Sequence, residues 1–213
     1  MAHERNRKGM ARYGINTARA LGVSVARLRA IARRLGKDHR LAVELWLSGV
    51  HEARILASML ADPSVVSPRD MDRWVREVDS WDLCDQVCAN LFERTPHARR
   101  KALLWSSRKQ EFVRRASFSL MARIAVSQKD LPDSAFSPML AAIRRRAGDE
   151  RNYVKKAVSW ALRQIGKRNP ALRTKALAVA GLLRRGGSRP ARWIGADAER
   201  ELLGRAARSW PGT

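Results

Sequence analysis

Phe112-Val113-Arg114-Arg115-Ala116 is matched 41 residues later by Tyr153-Val154-Lys155-Lys156-Ala157. Each stretch runs through an aromatic residue, a valine, two cations and an alanine, and each lies in a segment whose apolar residues follow helical spacing. The match predicts that the chain repeats a helical unit of this length. The fold is therefore expected to grow by stacking similar units along the chain.

Helix start and stop signals recur along the rest of the sequence. Ser24 and Asp38 can cap helices, Gly36 and Gly49 can end them, and the proline in Ser67-Pro68 suits a first helical turn. No segment shows the period-two alternation of a β-strand, so we expect about eleven or twelve helices. The later ones are expected at roughly Ser134 to Ala147, Pro170 to Arg185 and Ala191 to Ser209. A period of roughly 40–47 residues is typical of helix-pair repeats such as HEAT and armadillo. We therefore predict an all-α, HEAT-like helical-repeat solenoid, a superhelix of antiparallel helix pairs with a concave surface.

Composition and charge indicate the kind of partner. The chain has 213 residues, of which 45% are hydrophobic and 30% charged, as in a folded globular protein. We expect a single domain over residues 1–213, with residues 1–9 flexible. Lys and Arg number 43 against 20 Asp and Glu, which gives a formal net charge of +23. Because such a chain repels itself without an anionic partner, the composition predicts binding to a polyanion.

The sequence does not support a membrane, secretory or metal-dependent protein. No apolar run approaches the roughly 20 residues of a spanning helix, and Met1–Met10 lack the apolar centre of a signal peptide. We expect a cytoplasmic, nucleoid-associated protein. His51-Glu52 begins like a zinc-protease helix, but Ile55 occupies the position of the second histidine, so we expect no metal site. No glycine-rich phosphate loop is present, and the chemistry implied by the resemblance described below calls for no organic cofactor. The spacing of Cys84 and Cys88 suits packing in a helical core.

The helix predicted from Glu150 to Arg168 carries an aromatic residue outside its apolar stripe. Trp160 lies about 130° from that stripe at 100° per residue, on a face with several polar residues, namely Asn152, Lys156, Arg163 and Lys167. The tryptophan could pack against the neighbouring repeat, since solenoid helices are buried on two sides. Alternatively, it presents an aromatic face to nucleic acid beside cations that bind phosphate.

A second candidate site follows Ser80, a predicted N-cap. Trp81 and Asp85 are i,i+4 neighbours on one helix face at the edge of the core, whereas Asp82 is expected to point elsewhere. An acidic residue on a nucleic-acid-binding face is unusual because it repels phosphate. Asp85 is therefore either a functional carboxylate, a first-turn residue favoured by the helix dipole, or half of an ion pair with an arginine.

These residues fall within three motifs that resemble one family. A W-D-x-x-D motif is present at Trp81–Asp85, an aromatic-x-R-R-A motif at Phe112–Ala116, and a K-A-x-x-W-x-L-R motif at Lys156–Arg163. Together, and in this order, they resemble the AlkD-like DNA alkylation repair proteins. The likeness extends from Met10–Ile15 to Ala191–Ile194, nearly the whole chain.

The resemblance implies a superhelix of HEAT-like repeats that clasps duplex DNA in a basic concave groove. It also implies hydrolysis of the N-glycosidic bond of cationic N3- or N7-alkylated purines, in base excision repair. Asp85 would be the catalytic carboxylate, with Trp81 and Trp160 beside the sugar of the lesion. Arg115, or Arg114 if the register differs by one residue, would be the arginine near the damaged strand. Relatives without glycosylase activity typically lack the aspartate or the tryptophans, and all three are present here.

Two other functions stay open. A non-catalytic HEAT-like nucleic-acid-binding protein would need only the basic surface, with Asp85 structural. A protein–protein scaffold is the second alternative, and its groove need not be basic. For the enzyme we expect a monomer whose partner is double-stranded DNA with alkylated bases, and whose phosphate contacts include Lys156, Arg163 and Lys167.

Overall fold

A computed structural model describes residues 3–206 of the chain. Within this range the structure is all-helical, with twelve α-helices and two short 3₁₀ segments, as predicted. The helices are α1 (Glu4–Arg12), α2 (Val25–Leu35), α3 (His39–Leu47), α4 (His51–Leu60), α5 (Pro68–Arg76), α6 (Trp81–Asn90), α7 (Ala98–Trp105), α8 (Glu111–Ser127), α9 (Ser137–Arg146), α10 (Asn152–Gly166), α11 (Pro170–Arg184) and α12 (Arg189–Ala206). The 3₁₀ segments are Phe92–Arg94 and Asp133–Phe136.

Local capping explains where several helices begin. The Ser24 side chain accepts the backbone N–H of Arg27, and the Asp38 side chain accepts that of Leu41, so both predicted caps are confirmed. Ser67 forms a reciprocal capping box before α5. Ser80 precedes α6 as expected, but its side chain makes no capping hydrogen bond.

The chain divides into two compact units, an N-terminal unit that ends at Ala98 and a C-terminal unit that begins at Arg99. The single domain over residues 1–213 stays a prediction. Residues 4–9, for which the sequence suggested flexibility, belong to α1. The Asn6 amide fastens this helix by donating to the Gly22 carbonyl at 2.8 Å.

The N-terminal unit packs α4 against α2, α3 and α6. An aromatic pair lies within its core, because Trp46 and Trp74 stack with ring centroids 4.2 Å apart and an interplanar angle of 7°. The Trp46 indole N–H donates to Glu77 Oε2 at 2.7 Å, and the Arg54 guanidinium lies 5.2 Å above the Trp46 ring. Cys84 and Cys88 are both buried, which confirms their predicted place in the core.

In the C-terminal unit, helices with the repeated sequence pattern pack against one another. α10 packs against α8, α11 and α12. The two aromatic residues of the repeated pattern, Phe112 and Tyr153, stack with centroids 5.8 Å apart. Contacts continue at a similar spacing, because the Ser159 hydroxyl donates to Asp197 Oδ2 at 2.6 Å, 38 residues further along. The sequence repeat therefore corresponds to a structural repeat.

Candidate functional site

A cavity of about 700 Å³ in the N-terminal unit lies between α1, the segment that follows it, α4 and α6. Trp81 and Asp85 both line this cavity from α6, and both side chains are half-buried. The structure therefore brings together the two residues that their i,i+4 spacing placed on one helix face. Its wall also includes Tyr13 from the segment after α1, and Gln86 from α6.

Trp81 is fixed at the cavity wall by a bond to the main chain. Its indole N–H donates to the carbonyl oxygen of Tyr13 at 3.0 Å. This bond ties the first turn of α6 to the chain that leaves α1. The Tyr13 side chain itself is 72% exposed, so its ring lies at the rim of the cavity.

Asp82 also lines the cavity, contrary to the expectation that it points elsewhere. His51 accounts for this position, because its Nε2 lies 2.9 Å from Asp82 Oδ2 and both side chains are largely buried. Asp82 and Asp85 are three residues apart in α6, so the directions of their side chains around the helix axis differ by only about 60° and both can lie on one wide cavity wall. The partner of Asp82 lies on α4, 31 residues earlier, where no local pattern shows it.

The His51–Asp82 pair favours the charged forms of both groups. Burial disfavours imidazolium, but the hydrogen bond and the charge of Asp82, helped by Glu52 and Asp79, raise the pKa of His51. Burial likewise opposes the Asp82 carboxylate, yet its hydrogen bonds, with His51 first, lower the pKa of Asp82. Both shifts favour an ion pair between these two groups in the cavity wall.

Glu52, next to His51, organises the turn at Gly22, which also lines the cavity. It is 2% exposed, and its carboxylate accepts the backbone N–H groups of Leu21, Gly22 and Val23 at 2.8, 2.6 and 3.2 Å. Gly22 has a positive φ of 78°, and a Cβ there would lie 2.5 Å from the His3 carbonyl oxygen. This turn therefore requires glycine. Sequence analysis considered His51-Glu52 only as an incomplete zinc motif and missed this role.

In the C-terminal unit, α10 carries the other predicted residues. Trp160 is half-buried and Lys156 is exposed. Arg163 and Lys167 lie on the same face, but both form ion pairs with Glu201 of α12, and Arg163 Nε is also 3.4 Å from Asp197. These two cations thus hold α12 against α10. Their contacts with DNA stay a prediction.

The two arginines of the aromatic-x-R-R-A motif on α8 are also engaged within the protein. Arg114 Nη1 lies 2.6 Å from Asp149 Oδ2, and Arg151 contacts the same carboxylate at 2.6 Å. Burial opposes this carboxylate, but hydrogen bonds from the two arginines lower the pKa of Asp149 to about 2. Arg115 is 6% exposed and donates to the Tyr153 carbonyl at 2.7 Å. Both arginines join α8 to its neighbours, and their contacts with DNA stay a prediction.

Comparison with known proteins agrees with the fold. One solved structure aligns with a TM-score of 0.77 and 22% identity, covering 95% of this chain and 91% of its own. It is described as belonging to a new family of proteins related to the HEAT-like repeat DNA glycosylases, with affinity for branched DNA structures. The predicted HEAT-like fold is thereby confirmed.

The remaining findings concern membrane-spanning helices, curated relatives and family membership. No helix in the described part of the chain is long and apolar enough to cross a bilayer. Comparison with curated proteins gives no significant match. The model of the family described as DNA alkylation repair enzyme, in contrast, matches residues 1–202. Trp81 and Asp85 lie on one cavity wall within the matched residues. By its match to this family model, the chain belongs to the DNA alkylation repair enzyme family.

Proposed function

We propose that this protein is an AlkD-like DNA glycosylase that hydrolyses the N-glycosidic bond of cationic N3- or N7-alkylated purines in duplex DNA. The base is released as the first step of base excision repair. The observation that supports this most directly is that Trp81 and Asp85 line the same cavity in a DNA alkylation repair family member. In this proposal the protein acts as a cytoplasmic, nucleoid-associated monomer without a metal or organic cofactor.

The chemistry needs little more than charge stabilisation. An N3- or N7-alkylated purine is already cationic, so it leaves as a neutral base when the C1′–N bond breaks and the electron pair moves to the purine. Positive charge then develops on the sugar, in an oxocarbenium-like transition state. The Asp85 carboxylate stabilises this charge. Water adds to C1′, and its proton passes to Asp85 and then to solvent.

The aromatic residues assist through their ring faces. Trp81, held by the Tyr13 carbonyl, offers an indole face beside Asp85. An indole face attracts a desolvated cation by about 1–2 kcal/mol. Trp160 has the same role by its motif position. The net charge of +23 supplies the attraction for the phosphate backbone, and Lys156 is an exposed cation on the Trp160 face.

Base release from alkylated duplex tests this function. The purified protein is incubated with a duplex that contains one N7-methylguanine, and the freed base is quantified by mass spectrometry. We expect release by the wild-type protein and a loss of about 100-fold or more in Asp85→Asn, because a group that stabilises transition-state charge is removed. DNA affinity should be unchanged or slightly higher, since a carboxylate opposes phosphate.

Asp130→Asn is the matched control. Asp130 is exposed and lies in the C-terminal unit, so this variant removes the same charge without changing the cavity. It should release base at the wild-type rate. Near wild-type turnover in Asp85→Asn, or affinity weakened tenfold by that change, would contradict the catalytic role of Asp85.

Non-catalytic recognition of DNA structure is the second candidate. It is favoured by the similarity to a structure described as having affinity for branched DNA, whose fold this chain shares. In that case wild-type protein would release no base from any alkylated duplex, yet would bind a four-way junction more tightly than linear duplex of the same length and salt.

A further inference from the structure

We infer that Trp193 and Lys155 form a contact for the sugar–phosphate backbone of the bound DNA, away from the predicted catalytic residues. The inference rests on the proposed function, because it takes DNA as the ligand. The resemblance to the family extends to Ala191–Ile194 but assigns none of these residues a role. Trp193 of α12 is 39% exposed, and the ammonium group of Lys155 on α10 lies 4.8 Å from the centroid of its ring.

The packing of α12 determines the direction in which Trp193 points. Gly195 lies so close to α11 that a Cβ at this position would collide with the Ala180 carbonyl oxygen. Residues two apart in a helix point about 160° away from each other, so Trp193 faces away from α11. Close to this face, the Ser159 hydroxyl donates to Asp197 at 2.6 Å and joins α12 to α10. Trp193 therefore lies on the side of α12 opposite α11.

Trp193 occupies the same side of its helix as Lys156 does in α10. It follows Asn152, a residue of the Lys156 face, by 41 residues, which is the spacing of the sequence repeat. Burial agrees with this register, because Ala157 is buried and so is Ala198, 41 residues later. α11 packs against both α10 and α12. The Trp193 face therefore continues the face of α10 that is predicted to meet DNA.

Positive charge accompanies the exposed ring. Arg189 and Arg192 are exposed on the same helix, and Lys155 lies over the indole. Asp197, a carboxylate of this helix, already accepts a hydrogen bond from a serine and pairs with two arginines. Cations bind backbone phosphates, and the indole of Trp193 can cover the apolar surface of the deoxyribose between them. A DNA strand supplies both the charge and the apolar surface.

A contact at this place positions the duplex and takes no part in the reaction. Neighbouring helices pack about 8–10 Å apart, so Trp193 lies roughly that far from the α10 face that carries Trp160. With about 3.4 Å of helix rise for each nucleotide of a strand, the contact falls two or three nucleotides from the one at Trp160. Backbone contacts fix the register of a protein on DNA without reading its sequence. Trp193 and Lys155 are therefore positioning residues.

Binding to an undamaged duplex over a range of salt concentrations tests the contact. Trp193→Ala should bind about tenfold more weakly at every salt concentration, whereas Trp193→Phe, which keeps an aromatic face, should lose about two- to threefold. Lys155→Gln should flatten the slope of log affinity against log salt by about 0.9. Leu182→Ala and Lys175→Gln are the matched controls, because both residues are exposed on α11. Both controls should bind as wild type, and urea midpoints establish that each variant is folded.

Uncharged methylphosphonates, introduced one at a time in place of phosphates, locate the contact on a duplex that contains N7-methylguanine. One position, two or three nucleotides from the lesion, should weaken binding by the wild-type protein but not by Lys155→Gln, which no longer contacts that phosphate. A scan without such a position would overturn the inference. At saturating protein, Trp193→Ala should release N7-methylguanine at the wild-type rate, because the contact serves binding alone.

Three further results would overturn the inference: wild-type affinity of Trp193→Ala, an unchanged salt slope of Lys155→Gln, or slower base release by Trp193→Ala at saturating protein. If Trp193→Ala fails to fold, Trp193→Phe and Lys155→Gln decide. Failure of this inference is distinguishable from failure of the proposed function, because binding to undamaged duplex requires no chemistry. Binding that depends on Trp193 without base release keeps the contact and removes the glycosylase, whereas base release with wild-type binding by both variants does the reverse.

Discussion

Replacing Asp149 by asparagine tests whether Arg114 stabilises the fold or binds DNA. Asp149 holds both Arg114 and Arg151, each at 2.6 Å, and its side chain is only 6% exposed. Arg114 is also one of the residues predicted to contact DNA. If its main role is to join α8 to the turn that precedes α10, removing the carboxylate should lower stability rather than alter DNA affinity.

The expected loss follows from the pKa of Asp149, which is lowered from 3.8 to about 2. At roughly 1.4 kcal/mol for each pKa unit, the charged carboxylate contributes about 2 kcal/mol to the free energy of unfolding at neutral pH. A lowered pKa means that this contribution is complete above the unfolded pKa of about 4 and disappears as pH falls through about 2. Two partly buried guanidinium groups left without a carboxylate add to the cost.

The assay is urea unfolding of wild-type protein and Asp149→Asn between pH 7 and pH 2.5, with Asp130→Asn as the exposed control. The difference in unfolding free energy should be at least about 2 kcal/mol at pH 7 and about 1 kcal/mol smaller at pH 3. The control should match wild type throughout. An Asp149→Asn protein as stable as wild type at pH 7, or a difference independent of pH, would refute the reasoning.

Three further predictions concern the candidate sites. Because the pKa of His51 is raised, its ion pair contributes fully to the free energy of unfolding below about pH 6.5, and this contribution is lost as pH rises through the folded pKa. The difference in unfolding free energy between wild type and His51→Gln should therefore be larger at pH 6 than at pH 9. Equal differences would contradict it. Lys156→Gln should flatten the slope of log affinity against log salt by about 0.9, and Arg163→Gln should flatten it less because Arg163 is already paired with Glu201. Only Arg163→Gln should also lower urea stability, and the reverse pattern would contradict this ranking. Trp160→Ala should slow excision of N7-methylguanine about ten- to thirtyfold with a small change in urea midpoint, and a large midpoint change with normal activity would make Trp160 a core residue.

The helices were predictable because their ends depend on local chemistry. The segment expected from Pro170 to Arg185 is α11 (Pro170–Arg184), where Asn169 caps the N-terminus and proline occupies the first turn. The segment expected from Ser134 to Ala147 instead divides into a 3₁₀ turn and α9. Predictions for residues beyond Ala206, where the last segment was expected to reach Ser209, lie outside the described residues.

The side-chain partners could not be predicted in the same way. Lys156, Arg163 and Lys167 occupy one helix face, as the 100° periodicity requires. Periodicity cannot show that Arg163 meets Glu201, because the carboxylate lies 38 residues away in the next repeat. Arg114 and Asp149 are likewise 35 residues apart. A single sequence therefore identifies which cations share a face, but not which of them the fold has already paired.

The first turn of α4 connects parts of the candidate site that are distant in sequence. Glu52 binds the turn around Gly22, and the backbone N–H of His51 donates to the Arg19 carbonyl at 3.0 Å. The His51 side chain then reaches Asp82, which directly follows Trp81 and shares its cavity wall. α1 is also bound to the turn at Gly22, which Glu52 of α4 holds. The distance between α1 and α6 across the cavity is therefore set partly through α4, and not by direct contact of α1 with α6 alone. His51 and Glu52, which support the site from α4, are therefore adjacent to each other in sequence but distant from Trp81 and Asp85. This distance explains why the motif identified the predicted catalytic pair and not its support.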